Sequence, residues 1–337
     1  MSRFGTTLGR FLLEEQTKHP DLDPGISPLL TQMAYASRII AREVGRAALV
    51  GKLGLVGERN ATGDSQKKLD VFGSETVLDA FSDTGLVHAM VSEEIEELTP
   101  LAGGENGQFI MCCDPVDGSS NTDINGSLGT IFGVWPRIPG ASLQENALRR
   151  GSEQLLAGYI MYSTSTLLVF ATAHGVHGFT LDRELGEFLL SHENIQCPPR
   201  GHYYSANLGY SHEWDVGIRN YLQWVTAVDK ATHRPYSLRY TGALVADLHR
   251  SLIEGGIYFY PPDPAHPEGK LRLLYECAPL AYVVERAGGR ASTGTDRILD
   301  LQATRIHQRC PLAIGSAEDV DIYQHFASGP FGRAQAR

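Results

Sequence analysis

The chain has 337 residues, of which 42% are hydrophobic, 20% charged and 9% aromatic. This composition is ordinary for a globular enzyme, and the length allows one large domain or two of average size. The net charge of −10 disfavours binding to nucleic acids and anionic membrane surfaces. The longest apolar stretches, such as 167–173, are far shorter than a membrane helix of about 20 residues, and residues 1–20 lack the apolar core of a secretory signal. We therefore predict a cytoplasmic protein with no nucleic-acid or membrane partner.

The cysteines are odd in number and contain no CxxC pair, so they fit neither a disulfide framework nor a zinc site. In the reducing cytosol such residues are mostly buried thiols. This prediction covers Cys112, Cys113, Cys197, Cys277 and Cys310.

In the first half of the chain, apolar residues recur at helical spacing over 28–50, and a second helix is predicted from about Ser74 to Ala89. β-rich runs follow. The four predicted strands are 108–113, 128–135, 155–162 and 166–173.

Around 197–201 the composition becomes loop-like, which marks the best internal boundary. We therefore predict an N-terminal α+β domain over 1–196 and a C-terminal α/β domain over 197–337. In the second domain the patterns predict helices over 214–228, 242–254 and 276–287, and strands over 257–260 and 312–314. Helices and strands mixed in layers indicate an α/β or α+β fold class.

The most informative segment follows the predicted strand that ends at Cys113. Asp114 and Asp117 are three residues apart around a proline, which stiffens the turn and can aim both carboxylates at one point. The carbonyl of Val116 lies between them. Such all-oxygen ligation suits Mg²⁺ or Mn²⁺ rather than zinc, and the carboxyl end of a strand is where open α/β sheets place their sites. The Gly-Ser-Ser turn over 118–120 can offer N–H groups and hydroxyls to a phosphate.

Two more acidic pairs precede this segment. Glu93 and Glu94 follow an apolar run over 86–91, and Asp64 and Asp70 flank two lysines. A single carboxylate is more often a solvated surface charge or a helix cap than a ligand. Composition alone therefore leaves metal chemistry and an acidic surface as even alternatives.

At this point the sequence resembles a known family. Residues 114–120, Asp-Pro-Val-Asp-Gly-Ser-Ser, match the signature of class I fructose-1,6-bisphosphatases, within the lithium-sensitive metal-dependent phosphatases. Other segments resemble the same family in the same order, and together they span about residues 8–325. They are 63–70, 91–94, 129–133, 239–240, 269–279 and 300–309. The signature alone indicates the superfamily, whereas the whole set indicates the bisphosphatase.

The resemblance implies a layered α-β-α-β-α fold, a homotetramer and a sugar bisphosphate substrate. The implied reaction is hydrolysis of the 1-phosphate of fructose 1,6-bisphosphate to fructose 6-phosphate, with two or more Mg²⁺ or Mn²⁺ ions per site. A phosphate monoester resists hydrolysis because its anionic oxygens repel the nucleophile. Bound metal ions neutralise those oxygens and lower the pKa of the attacking water.

The resemblance also implies roles for individual residues. The metal ligands would be Glu93, Asp114, Asp117, Glu276 and the Val116 carbonyl. Asp64 resembles an aspartate of a mobile loop that engages a metal, and Glu94 and Asp70 resemble the pair that activates the water. The implied substrate contacts are Asp117, Gly118, Ser119, Ser120, Asn207, Tyr210, Tyr240, Tyr260, Lys270 and Arg272. Arg239 resembles a residue that reaches a neighbouring subunit's site.

The chain departs from the family where many members bind the inhibitor AMP. The loop over 22–28 carries two prolines and an aspartate, and Gln108-Phe109 stands where a lysine–tyrosine pair is expected. Pro136 occupies the arginine position, with Arg137 one place later. A cationic phosphate clamp is weakened by these changes. We predict weak or absent inhibition by AMP.

Three alternatives remain beside this assignment. Sedoheptulose 1,7-bisphosphate differs by one sugar carbon, and such differences discriminate weakly. An inositol monophosphatase is disfavoured because Lys270, Arg272 and the pair Arg239-Tyr240 make sense only for a second phosphate. A catalytically dead binding module is disfavoured because every carboxylate that the chemistry needs is present.

Overall fold

The protein is built from two β-sheets that are separated and covered by helices. The computed structural model describes residues 5–59 and 65–329. The helices are α1 Leu8–Lys18, α2 Ile26–Val44, α3 Lys68–Phe81, α4 Leu143–Ala147, α5 Val216–Thr226, α6 Leu244–Glu254, α7 Ala278–Arg286 and α8 Ala317–Ser328. A 3₁₀ segment over Ser119–Ile124 and a π-helical turn over Leu273–Cys277 lie beside the site described below.

The strands divide between one large sheet, one smaller sheet and two short pairs. They are β1 Leu55–Arg59, β2 Ser65–Lys67, β3 Val87–Ser92, β4 Thr99–Pro100, β5 Phe109–Asp117, β6 Leu128–Pro136, β7 Leu156–Tyr162, β8 Thr166–Thr172, β9 Gly175–Asp182, β10 Glu187–His192, β11 Tyr203–Ser205, β12 Ser237–Leu238, β13 Ile257–Tyr260, β14 Leu271–Arg272, β15 Arg290–Ser292, β16 Arg309–Cys310 and β17 Leu312–Gly315. The large sheet has the order β10-β9-β8-β7-β6-β5-β3-β4, and the smaller sheet has the order β12-β11-β13-β17-β15.

The faces of the large sheet follow from the alternation of side chains along each strand. Along β5, Met111 and Cys113 face a core formed with α1, α2 and α3. Ile110 and Cys112 face the opposite core, where α6 and α7 pack. Both faces are therefore buried, which explains why β5 reads as a continuous apolar run rather than an alternating one.

The smaller sheet repeats this arrangement. Tyr258 and Ile314 point toward the core that contains α6 and α7, whereas Phe259 and Ala313 face α5 and α8. The order of layers is thus helices, sheet, helices, sheet, helices. The predicted α-β-α-β-α fold is confirmed.

Several predicted boundaries were wrong. The helix predicted to end at Ala89 ends at Phe81, and the apolar run after it forms the buried strand β3. A continuous apolar run has no period that separates helix from strand. The strand predicted to end at Cys113 continues to Asp117, so Asp114 and Asp117 lie within the last four residues of β5 rather than after it. The helix predicted over 28–50 is α2, which spans Ile26–Val44.

All five cysteines are free and buried, as predicted. Among residues 5–59 and 65–329, no helix combines the length and the apolar character needed to cross a lipid bilayer.

Candidate active site

A cavity of about 530 Å³ opens where β3 and β5 of the large sheet approach α6, β13 and the π-helical turn. Residues from eight separate parts of the chain line it. They are Leu55, Lys67, Asp70, Glu93, Glu94, Asp114, Val116, Asp117, Gly118, Ser119, Ser120, Asn207, Tyr240, Gly242, Leu244, Tyr258, Tyr260, Lys270, Leu271, Arg272 and Glu276.

Three buried carboxylates meet in this cavity. One oxygen from each of Asp114, Asp117 and Glu276 lies within 4.8 Å of the others. The pairing of β5 with β6 is irregular between Asp114 and Asp117, and this irregularity lets both side chains face the cavity. Glu276 lies on the π-helical turn, a distortion that often occurs at functional sites.

The protein environment disfavours negative charge at this cluster. Burial, followed by the nearby carboxylates of Glu93, Asp117 and Glu276, holds the pKa of Asp114 well above its usual range. Burial likewise raises the pKa of Asp117 to about 6, although hydrogen bonds to its oxygens oppose the shift. Buried carboxylates in such proximity need either protons or a cation. Oxygen donors of this kind fit a hard divalent cation.

Asp117 also fixes the position of helix α6. Its carboxylate accepts hydrogen bonds from the backbone N–H groups of Leu244 at 3.3 Å and Val245 at 2.9 Å. Gly118 has φ of +76°, and a Cβ there would lie 2.8 Å from the Cβ of Ala243. The close approach of β5 to α6 therefore requires glycine at this position.

The neighbours of these three carboxylates are fixed by backbone hydrogen bonds at the ends of β3 and β5. Glu93 and Glu94 follow the end of β3, and the Glu93 N–H donates to the Cys113 carbonyl at 3.3 Å. The N–H of Val116 donates to the Asp114 carboxylate at 3.1 Å, which turns the peptide between the two aspartates. The Nε2 of Gln66 donates to Glu94.

Asp70 lies across from Glu94 and has an unusual environment. Its Oδ2 accepts a hydrogen bond from the Lys67 backbone N–H at 2.7 Å, and the Ser119 side chain also contacts it. Its Oδ1 is buried and has no hydrogen-bond partner among the residues that the structure describes. Burial, reinforced by the Glu94 carboxylate, raises the pKa of Asp70 to about 7. A carboxyl group with this pKa can exchange a proton near neutral pH.

Positive and aromatic groups form the other part of the lining. Arg272 is only 3% exposed. Its backbone N–H donates to the Glu276 carboxylate, and its guanidinium donates to the Lys270 carbonyl. Lys270 is exposed, with its Nζ 6.0 Å from the centre of the Tyr260 ring. Tyr240 hydrogen-bonds to Asn207. The cavity thus joins an acidic region to a cationic and aromatic one.

Two predicted residues that the structure describes do not line this cavity. Tyr210 lies in an adjacent cleft that it shares with Asn207 and Tyr260. Arg239 is exposed, with its guanidinium 5.5 Å from the Tyr203 ring. Asp64 is outside the residues that the structure describes.

The structure adds residues that the sequence did not single out. Lys67 lines the cavity and forms an ion pair with Asp123 at 2.5 Å. Its place within the family-like segment 63–70 was a usable signal. No signal could have identified Leu244, because its N–H reaches Asp117 only through the packing of α6 against β5.

Comparisons with known proteins indicate a single family along almost the whole chain. Residues 6–193 match the family model of the fructose-1-6-bisphosphatase N-terminal domain, and residues 197–328 match that of the C-terminal domain. A class 1 fructose-1,6-bisphosphatase of Acaryochloris marina is 56% identical over 89% of this chain and 91% of the relative. One from Chlorobium chlorochromatii is 48% identical over 96% and 98%.

Comparison of the fold with solved structures indicates the same family. The crystal structure of Leishmania major fructose-1,6-bisphosphatase in holo form has a TM-score of 0.90 and 37% identity, covering 96% of this chain and 99% of that one. We conclude that the chain belongs to the fructose-1,6-bisphosphatase family, metal-dependent phosphatases that hydrolyse fructose 1,6-bisphosphate to fructose 6-phosphate.

Proposed function

We propose that this protein hydrolyses the 1-phosphate of fructose 1,6-bisphosphate and uses Mg²⁺, or Mn²⁺, with two or more ions in its site. One observation carries the proposal: three buried carboxylates converge within 4.8 Å, in a cavity that also contains a buried arginine and an exposed lysine. The acidic part suits the ions, and the cationic part suits a second phosphate.

Asp114, Asp117 and Glu276 would hold the metal, with Glu93 and the Val116 carbonyl beside them; Asp64 is proposed from the resemblance alone. The bound ions would neutralise the phosphate oxygens and acidify the attacking water. The protein contributes rigidity, because β5, the N-terminus of α6 and the π-helical turn each fix one carboxylate.

Asp70 and Glu94 would accept the proton of the attacking water. The Oδ1 of Asp70, which has no hydrogen-bond partner within 5–59 and 65–329, is the proposed acceptor, since the pKa of this carboxyl group, about 7, matches the working pH of such a base. Gly118, Ser119 and Ser120 line the cavity next to the carboxylates and would bind the reacting phosphate through N–H and hydroxyl groups.

The second phosphate would lie at the cationic and aromatic part of the cavity. Lys270, Tyr240, Tyr260 and Asn207 line this part, Tyr210 lies next to it, and Arg272 bridges it to the carboxylates. Binding energy gained on the remote phosphate can position the reacting one.

Phosphate release from three substrates tests this assignment. With Mg²⁺ we expect rapid release from fructose 1,6-bisphosphate, release from sedoheptulose 1,7-bisphosphate within about tenfold of it, and little from inositol 1-phosphate. Chelation should abolish all three. Faster hydrolysis of sedoheptulose bisphosphate would favour that alternative, and preference for inositol phosphate would contradict the proposal.

We further propose a cytoplasmic homotetramer in which Arg239 reaches the site of a neighbouring copy, and two structural units over 1–196 and 197–337. The exposed guanidinium of Arg239 supports the first idea, because it lies outside the cavity of its own chain. The five free thiols are consistent with a reducing compartment.

A further inference from the structure

A second group of metal-ligating side chains lies apart from the catalytic cavity. One ligand atom from each of His19, Asp21 and His174 lies within 4.8 Å of the others, and none of these residues lines the cavity. His19 caps the C-terminus of α1, Asp21 belongs to the turn before α2, and His174 lies in the turn between β8 and β9. Packing alone brings these two parts of the chain together.

The side chains of this cluster already converge. The rings of His19 and His174 are stacked, with centroids 4.0 Å apart and planes inclined by 15°. The Nε2 of His174 lies 3.2 Å from an Asp21 oxygen, and the Nε2 of His19 lies 3.6 Å from an oxygen of Glu15. Small ring rotations would aim two imidazole nitrogens and one carboxylate oxygen at a common centre.

The donor set selects the class of ion. Two imidazoles with carboxylates are the ligands of Zn²⁺ and neighbouring transition metals, whereas Mg²⁺ prefers oxygen donors and water. Two carboxylates would balance the charge of a divalent ion. The side chain of His174 is 18% exposed and that of Asp21 is 74% exposed, so one side of the cluster is partly buried and the other is open to solvent.

We propose that His19, Asp21 and His174 form a binding site for a transition-metal ion of the zinc class, with Glu15 or water as the fourth ligand. Glu15 now pairs with Lys18 at 2.9 Å, and ligation would exchange that contact for the ion. The ion would link the end of α1 to the β8–β9 turn. It would therefore stabilise the N-terminal helix against the large sheet without entering the catalytic reaction.

The test counts Zn²⁺ per chain after equilibrium dialysis. Because Zn²⁺ also binds carboxylate sites, the informative quantity is the difference between wild type and His174→Ala or His19→Ala. His212→Ala, which alters an exposed histidine outside the cluster, is the matched control. We expect each cluster variant to bind one fewer ion per chain, and the control to bind the wild-type number. Magnesium-dependent turnover should remain within about twofold of wild type, which verifies folding.

Wild-type protein supplies an independent readout. Co²⁺ added to the magnesium-saturated enzyme should produce the visible d–d absorption of an imidazole-ligated ion, and Zn²⁺ should bleach it. An unchanged visible spectrum would overturn the proposal, as would a wild-type zinc count in both cluster variants. Either result would leave the cluster as a polar contact between Asp21 and His174 next to the stacked ring of His19.

Discussion

We expect the replacement of Asp117 with asparagine to reduce catalysis strongly while it changes the stability of the fold only slightly. The substitution keeps the shape of the side chain but removes one negative charge from a cluster whose oxygens lie within 4.8 Å of one another. A unit charge about 4 Å from another, at an effective dielectric constant of about 20, contributes about 4 kcal/mol. If that interaction holds the ion during the reaction, kcat/KM falls by about 1,000-fold.

The cost to folding is much smaller because two effects oppose each other. The rise in the pKa of Asp117 from 3.8 to about 6 means that ionisation destabilises the metal-free fold by about 3 kcal/mol, which asparagine would relieve. The amide, however, can accept from only one of the N–H groups of Leu244 and Val245, and leaving the other without an acceptor costs about 1–3 kcal/mol. We expect the free energy of unfolding to change by about 2 kcal/mol or less.

The assay pairs steady-state phosphate release with denaturant unfolding, and Asp321→Asn on the surface of α8 serves as the matched control. Asp117→Ala should lose the helix cap as well and be the less stable variant by about 1 kcal/mol. An Asp117→Asn enzyme that is folded and keeps more than about a tenth of wild-type kcat/KM would refute the assignment of this carboxylate to the metal.

Four further outcomes follow from the same geometry. First, the pKa values of Asp70 and Asp117 in the fold are about 7 and 6, above the ordinary 3.8. The metal-free fold therefore binds more protons than the unfolded chain and loses stability as pH rises from about 4 to about 7. The gain in melting temperature on adding Mg²⁺ should be larger at pH 7.5 than at pH 5, and an equal gain would contradict this reasoning. Second, Asp70→Asn should lower kcat and remove an activity rise centred near pH 7, which a pH–rate profile would detect. Third, Lys270→Met should raise KM for the bisphosphate by about tenfold, whereas Lys230→Met, at an exposed position outside the cavity, should leave KM unchanged. Fourth, an AMP titration should show no strong inhibition, and inhibition at micromolar AMP would contradict the interpretation of residues 108–109 and 136.

The family and the reaction class could be assigned from the residue pattern alone, and most residues that line the cavity were named from it. Residues 114–120 and 269–279 carried the assignment without coordinates, because their carboxylates, hydroxyls and cationic side chains suit a metal ion and a phosphate. The layered fold followed from the same resemblance. Local pattern also placed β13 without error, because the strand is short and bounded by clear turns.

The way in which those segments meet is visible only in the folded chain. Asp117 caps the N-terminus of α6, the π-helical turn presents Glu276, and the Oδ1 of Asp70 has no hydrogen-bond partner in the described part of the chain, although none of these features has a local sequence pattern. The run after Phe81 became a strand because the large sheet buries it on both faces, which hydrophobic periodicity cannot reveal. The histidines at 19 and 174 met for the same physical reason: distant residues become neighbours through packing, and packing energy belongs to the whole fold rather than to any one segment.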